Sequence, residues 1–364
     1  MNHFSCLLAL LSLLGFANAG TSAANSQRIL KAYQDAANQW SANLRLAATP
    51  EERAKISASR PNATATAVQV WADIGGSLDQ EWTLEPAAWF LRNTPGLVTA
   101  KADGTTTPAF AKENETIRKA IESYHLGSPK LIPICAALAS STHPQSLALL
   151  EKIQANHPDT KTQGVAALGA AIQYKSLGDD GEIMRKRLTY LRKAIIQSSE
   201  VELDGTPVAK LAEDELYIIR FLTKGRVAPD LVGVDSANRP LSLEANKGKV
   251  IYLLFWNSKV PEAKRVIDIT TATAKKFKGR PFTAIGVNSD PVETLRYLQA
   301  DNTVTWTNFS DAGNQLAKEY RINTLPLVYI LDTDRKIQYV GLPGSFAELT
   351  AEALLADVKP TVTE

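Results

Sequence analysis

Cysteine is nearly absent from this chain: its 364 residues include two, Cys6 and Cys135. Cys6 opens an apolar run, 6–16, that is followed by Ala17-Asn18-Ala19. That is the pattern of a secretory signal peptide with an Ala-x-Ala cleavage site, although the leading residues lack the usual Lys or Arg. With 1–19 read as removed on export, one thiol remains, and a single thiol forms no disulfide within its own chain. Histidine is scarce as well. His3, His125, His143 and His157 show no ligand spacing with one another or with Cys135, so neither a metal site nor a cofactor is expected. No later apolar run is long enough to span a bilayer, so no membrane span is expected in the mature chain. Charge of one sign is missing too. With 40 basic and 38 acidic side chains, the chain shows neither a nucleic-acid surface nor a basic membrane-binding run.

Helical periodicity dominates 20–224. Ile29, Tyr33, Ala36, Trp40 and Leu44 recur at helical spacing and predict an amphipathic helix. Thr49-Pro50-Glu51-Glu52 offers an N-cap, a Pro at the first helical position and a Glu placed for a capping box, so a second helix is predicted before Arg60-Pro61. The stretch 63–91 holds Trp71, Trp82, Trp89 and Phe90. Packing of short helices is preferred there over a ligand groove; a hydrolase or lectin-like module would need several Trp faces open to solvent. Residues 93–108 read as a loop.

Helical signals resume at Asn114 and run to about Leu222. His143-Pro144 opens a segment marked by Leu149, Leu150 and Ile153; His157-Pro158 opens one marked by Val165, Leu168 and Ile172. Met184, Leu188, Leu191 and Ile195 form a third stripe. Short helices with Pro-marked starts predict stacked helical hairpins, a tetratricopeptide-like array without self-similarity at a ~34-residue period. Such an array binds partners along a concave face; a compact all-α domain with no ligand is the other reading. Cys135 sits among apolar neighbours with no Lys, Arg or His close in sequence, which predicts a buried, inert thiol.

After 224–230, strands and helices alternate. Strands are predicted at 250–255 and 282–287, a hairpin from 231–234 and 240–243, a short edge strand at 305–308, and a second hairpin from 327–331 and 337–340. Helices are predicted at 261–277, 292–298 and 346–358. Alternation of this kind predicts an α/β domain with a central mixed sheet covered on both faces. The expected division is a signal peptide at 1–19, a helical domain at 20–224, an α/β domain at 225–360 and a tail at 361–364.

The order of motifs in this second part is specific. Ala228-Pro229-Asp230 stands at its entrance, Lys247-Gly248-Lys249-Val250 precedes the first core strand, and Phe255-Trp256 ends that strand. Val287-Asn288-Ser289-Asp290 follows the next strand, and the run 320–326, Tyr320 to Pro326, precedes the last hairpin. From about residue 226 to 358 the chain resembles the extracytoplasmic thioredoxin-like proteins of the TlpA/ResA and redoxin type. The resemblance implies a Cys-x-x-Cys disulfide at the strand-to-helix turn, faced by a cis-Pro at Pro326. Here Val260 and Ala263 occupy the two sulfur positions. A peroxidatic thiol would sit at the same helix start and is missing for the same reason. Neither side chain can supply a thiolate or resolve a mixed disulfide, so no residue is assigned a catalytic role. The degenerate site is expected to be a binding surface made of Trp256, Lys259, Val260, Glu262, Ala263, Leu325 and Pro326. Its partner would be a protein or peptide of a bacterial envelope, met after export to the periplasm or outside. The rival is a thiol-disulfide oxidoreductase or peroxidase using Cys135 or a partner thiol. It requires Cys135 to be exposed and near a basic group.

Overall fold

The computed structural model describes residues 4–357, apart from 48, 142, 179 and 261; the expected tail at 361–364 lies outside the described residues. The chain divides into two units, 1–212 and 213–364, with the division falling inside a helix ahead of 224–230.

The first unit is helical. Its helices are α1 (Phe4–Leu46), α2 (Pro50–Ala58), α3 (Ala63–Ile74), α4 (Leu84–Asn93), α5 (Ala111–Ala120), α6 (Ile132–Ala139), α7 (Pro144–Asn156), α8 (Thr160–Lys175) and α9 (Gly181–Ser198); α10 (Val208–Phe221) crosses into the second unit. Among the described residues, no helix is long and apolar enough to cross a membrane. Side chains set the helix starts. Thr49 Oγ1 accepts from Glu52 N at 3.1 Å, and Asp159 Oδ2 accepts from Thr162 N at 2.8 Å, each satisfying a first-turn amide. His143 Nδ1 caps α7 by accepting from Gln145 N at 3.3 Å. Pro158, by contrast, lies outside α8, whose cap is Asp159.

Short connections make α7, α8 and α9 successive neighbours, as in helical hairpins. The apolar stripes differ from the sequence reading in two of three cases. Leu149, Leu150 and Ile153 are buried as predicted. Helix α8 is instead buried almost all round, because α6, α7 and α9 pack against it. On α9 the buried face is Arg187, Leu191, Ala194 and Ser198, while Leu188 is exposed. The cause is Gly164: a Cβ there would stand 2.8 Å from the Cβ atoms of Gln197 and Ser198, so its absence lets α8 and α9 approach closely. The loop expected at 93–108 contains a small antiparallel hairpin, β1 (Val98–Ala100) with β2 (Thr106–Pro108). A second hairpin, β3 (Glu202–Leu203) with β4 (Thr206–Pro207), interrupts the expected helical run.

The second unit opens with the hairpin β5 (Val232–Val234) and β6 (Pro240–Ser242). It then alternates β7 (Val250–Trp256), α11 (Ala263–Lys276), β8 (Phe282–Asn288), α12 (Val292–Ala300), β9 (Thr307–Ser310), α13 (Gln315–Glu319), β10 (Leu327–Leu331), β11 (Ile337–Gly341) and α14 (Ser345–Asp357). The five-stranded sheet runs β11-β10-β7-β8-β9, with β7, β8 and β9 parallel and β10 antiparallel to both β7 and β11. It is the mixed sheet that the alternation of patterns predicts. Every residue of β7 is buried, and the strand's period of two divides it between two cores. Ile251, Leu253 and Phe255 join Tyr320, Tyr329 and the end of α10 on one face. Val250, Tyr252, Leu254 and Trp256 join Val266, Leu295 and Ala351 on the other.

One close approach conditions the sheet. The buried Trp256 Nε1 donates to Asn308 Oδ1 at 2.9 Å, and that amide lies over Gly286 between the two strands. A Cβ at Gly286 would collide with the Asn308 amide and stand 2.8 Å from the indole nitrogen. Gly286→Ala is therefore expected to destabilise the protein by about 2 kcal/mol through overpacking, read as a lower urea midpoint with an unchanged slope.

Candidate functional site

The turn between β7 and α11 is held by side chains from two segments, the turn itself and the end of β8. Asn257 Oδ1 accepts from Lys259 N at 3.0 Å and from Val260 N at 3.1 Å, an Asx-type turn that uses two amides at the helix approach. Ala263 N donates to the Val260 carbonyl at 3.0 Å, which closes the turn leading into α11. Beneath it lies Asp290, 1% exposed. Its carboxylate accepts from Ser258 N at 2.7 Å, Ser258 Oγ at 3.0 Å and Asn288 Nδ2 at 2.9 Å. Asn288 Oδ1 in turn accepts from Asp290 N at 3.1 Å. A buried carboxylate with several donors is strongly held, because each charge-assisted bond offsets part of its desolvation.

The residues expected to form a surface take different places. Lys259 and Glu262 are exposed; Val260, Leu325 and Pro326 are half-buried. Trp256 is fully buried, its indole nitrogen bonded inside the sheet, and Ala263 is buried at the first turn of α11. Those two side chains therefore shape the site from below and do not form its surface. Leu325 packs against the core beside Leu327 and Ile322. The Leu325–Pro326 peptide is cis, and the pairing of Leu327 with Phe255 sets it beside the Trp256 end of β7. Lys264 forms a solvent-exposed pair with Asp268 at 3.0 Å.

Residues 224–340 match the AhpC/TSA family. The C-terminal unit is a thioredoxin-like domain. Among curated relatives, the chain is 27% identical over 143 residues to chloroplastic peroxiredoxin Q of Sedum lineare, spanning 37% of this chain and 76% of that protein. It is 22% identical over 114 residues to the thiol-disulfide oxidoreductase ResA of Bacillus thuringiensis, spanning 31% of this chain and 66% of that protein. A solved thioredoxin domain of a thiol-disulfide oxidoreductase from Bacteroides vulgatus is 25% identical, covers 36% of this chain and 98% of that chain, and gives a TM-score of 0.34.

In this thioredoxin-like domain the described turn offers hydroxyl, amide, ammonium and carboxylate groups, and no sulfur. Ser258 Oγ donates to a carboxylate that already holds two other donors, so its geometry serves to anchor the turn. The one thiol outside the expected signal peptide is in the other unit. Cys135 lies on α6, 0% exposed, and burial pushes its pKa up to about 12. This agrees with the inert thiol read from its apolar neighbours.

Asn257, Ser258 and Asp290 carry the geometry of the turn; the motif Val287-Asn288-Ser289-Asp290 is legible in the sequence, but the roles of Asn257 and Ser258 are not. The bond between Ser258 and Asp290 joins residues 32 positions apart and has no spacing signature. The four aromatics of 63–91 also separate. Phe90 is buried and packs 5.8 Å from Trp71, whereas Trp82 and Trp89 are half-buried and line a groove. Asp290→Ala would leave the half-buried Ser258 donors and the buried Asn288 amide without this acceptor. The expected cost is about 3 kcal/mol, measured by chemical denaturation, with faster amide exchange at 258–260.

Proposed function

We propose that this is an exported, redox-inactive relative of the TlpA/ResA-type proteins, in which the former disulfide turn serves to bind a protein or peptide of the bacterial envelope. The observation that carries the reading is the pair Val260 and Ala263 on a turn whose described residues are tied by hydrogen bonds. Thiol exchange needs an attacking thiolate and a resolving thiol, and aliphatic side chains provide neither. The division proposed with it is a signal peptide at 1–19, a helical domain at 20–224 and a thioredoxin-like domain at 225–360. The contact surface is Lys259, Val260, Glu262, Leu325 and Pro326, over a floor of Trp256 and Ala263. The burial of Cys135 speaks against a thiol-disulfide or peroxidase activity that recruits it.

Three measurements test this reading. The purified mature protein is expected to neither reduce insulin disulfides nor turn over hydrogen peroxide; activity that survives Cys135→Ser would overturn it. The double variant Val260→Cys, Ala263→Cys is expected to gain disulfide-reductase activity, since sulfur is what the turn lacks. Mass spectrometry of the exported protein should find an N-terminus at Gly20.

Cys135 gives a separate expectation for pH. Its folded pKa stands at about 12 against an ordinary 9.0, so the unfolded thiol loses its proton first. Stability is therefore expected to fall as pH rises above the unfolded value. Iodoacetamide should label Cys135 only after denaturant is added, even at pH values where a free thiol reacts.

A further inference from the structure

The helical unit carries a groove of about 700 Å³, well inside the size range of small-molecule sites, and its walls have no part in the turn described above. Tyr33 of α1 meets Trp89 of α4 edge to face, with ring centroids 5.1 Å apart. Trp82 stands seven positions before Trp89, and both line the same groove. Three aromatic rings thus converge on one concavity.

The charges around these rings have one sign left over. Four carboxylates line the groove, those of Glu81, Glu85, Glu202 and Asp204, against two cations. Lys130 Nζ pairs with Glu81 at 3.1 Å, and Arg92 NH1 pairs with Asp204 at 3.2 Å. The Ser128 hydroxyl also donates to Glu81 at 2.6 Å, and this bond, with the contacts from Lys130, holds the Glu81 carboxyl below its ordinary pKa. Among the described residues, Glu85 and Glu202 have no ion pair. An anion would meet two uncompensated charges, and a neutral ligand would leave their field unused. A primary ammonium is strongly hydrated and gives up much on entering an aromatic site. An alkylated ammonium is large and weakly hydrated, and it is attracted both by ring faces and by nearby carboxylates.

We propose that this groove binds a small organic cation with a quaternary ammonium head, held by Tyr33, Trp82 and Trp89 and neutralised by Glu85 and Glu202. The site is independent of the turn after β7 and of whether that turn binds a partner.

Titration of the full mature chain with choline and with tetramethylammonium chloride, followed by tryptophan fluorescence and calorimetry at matched ionic strength, tests it. Saturable binding of both cations is expected, with 3,3-dimethylbutan-1-ol, the neutral isostere of choline, at least roughly tenfold weaker. Trp82→Leu is expected to abolish the response. The double variant Glu85→Gln, Glu202→Gln is expected to weaken it by roughly tenfold and to flatten its salt dependence. Both of its sites are exposed, so it decides the matter if Trp82→Leu does not fold by circular dichroism. Equal binding of the neutral alcohol, cation binding unchanged in the carboxylate variant, saturable binding of a neutral disaccharide or a lysine-rich peptide without a cation response, or no saturable response to either cation would overturn the proposal.

Discussion

The second unit depends on β7. A seven-residue strand without one exposed residue must be covered on both faces, and its alternate side chains supply both cores. Burying side chains of this size contributes about 1.5–3 kcal/mol each relative to leaving them in water. Its backbone is fixed on both sides as well, by parallel pairing to β8 and antiparallel pairing to β10. The place where the chain leaves the sheet is thereby set by the sheet: Trp256 is the last paired residue, and the turn begins at Asn257.

This arrangement accounts for the shape of the turn. The turn is tied by Asn257 to its own amides and by Ser258 to the buried Asp290, and none of these contacts involves sulfur. Val260 and Ala263 take part through backbone atoms alone, so none of these hydrogen bonds depends on the side chain at either position. The groove in the helical unit is built differently. There the half-buried Trp82 and Trp89 line one concavity together with Glu85 and Glu202.

By itself the sequence determined the elements whose signal is local. The continuous apolar runs at 250–255 and 282–287, the hairpins around 235–239 and 332–336, and the capped or Pro-started helices at 50 and 144 all follow from short-range patterns. So does the missing sulfur at 260 and 263. Partners distant in the chain have no such pattern, and only the tertiary structure decided them. The buried face of α9 is set by the close approach at Gly164, against a stripe that reads Met184, Leu188, Leu191 and Ile195. Trp256 faces inward because Asn308, fifty-two positions away, offers its amide across Gly286. Asp290 becomes the anchor of the turn because β7 and β8 end side by side. Hydrophobic spacing reports which residues avoid water; which polar atoms meet beneath them is decided only when the strands and helices are packed.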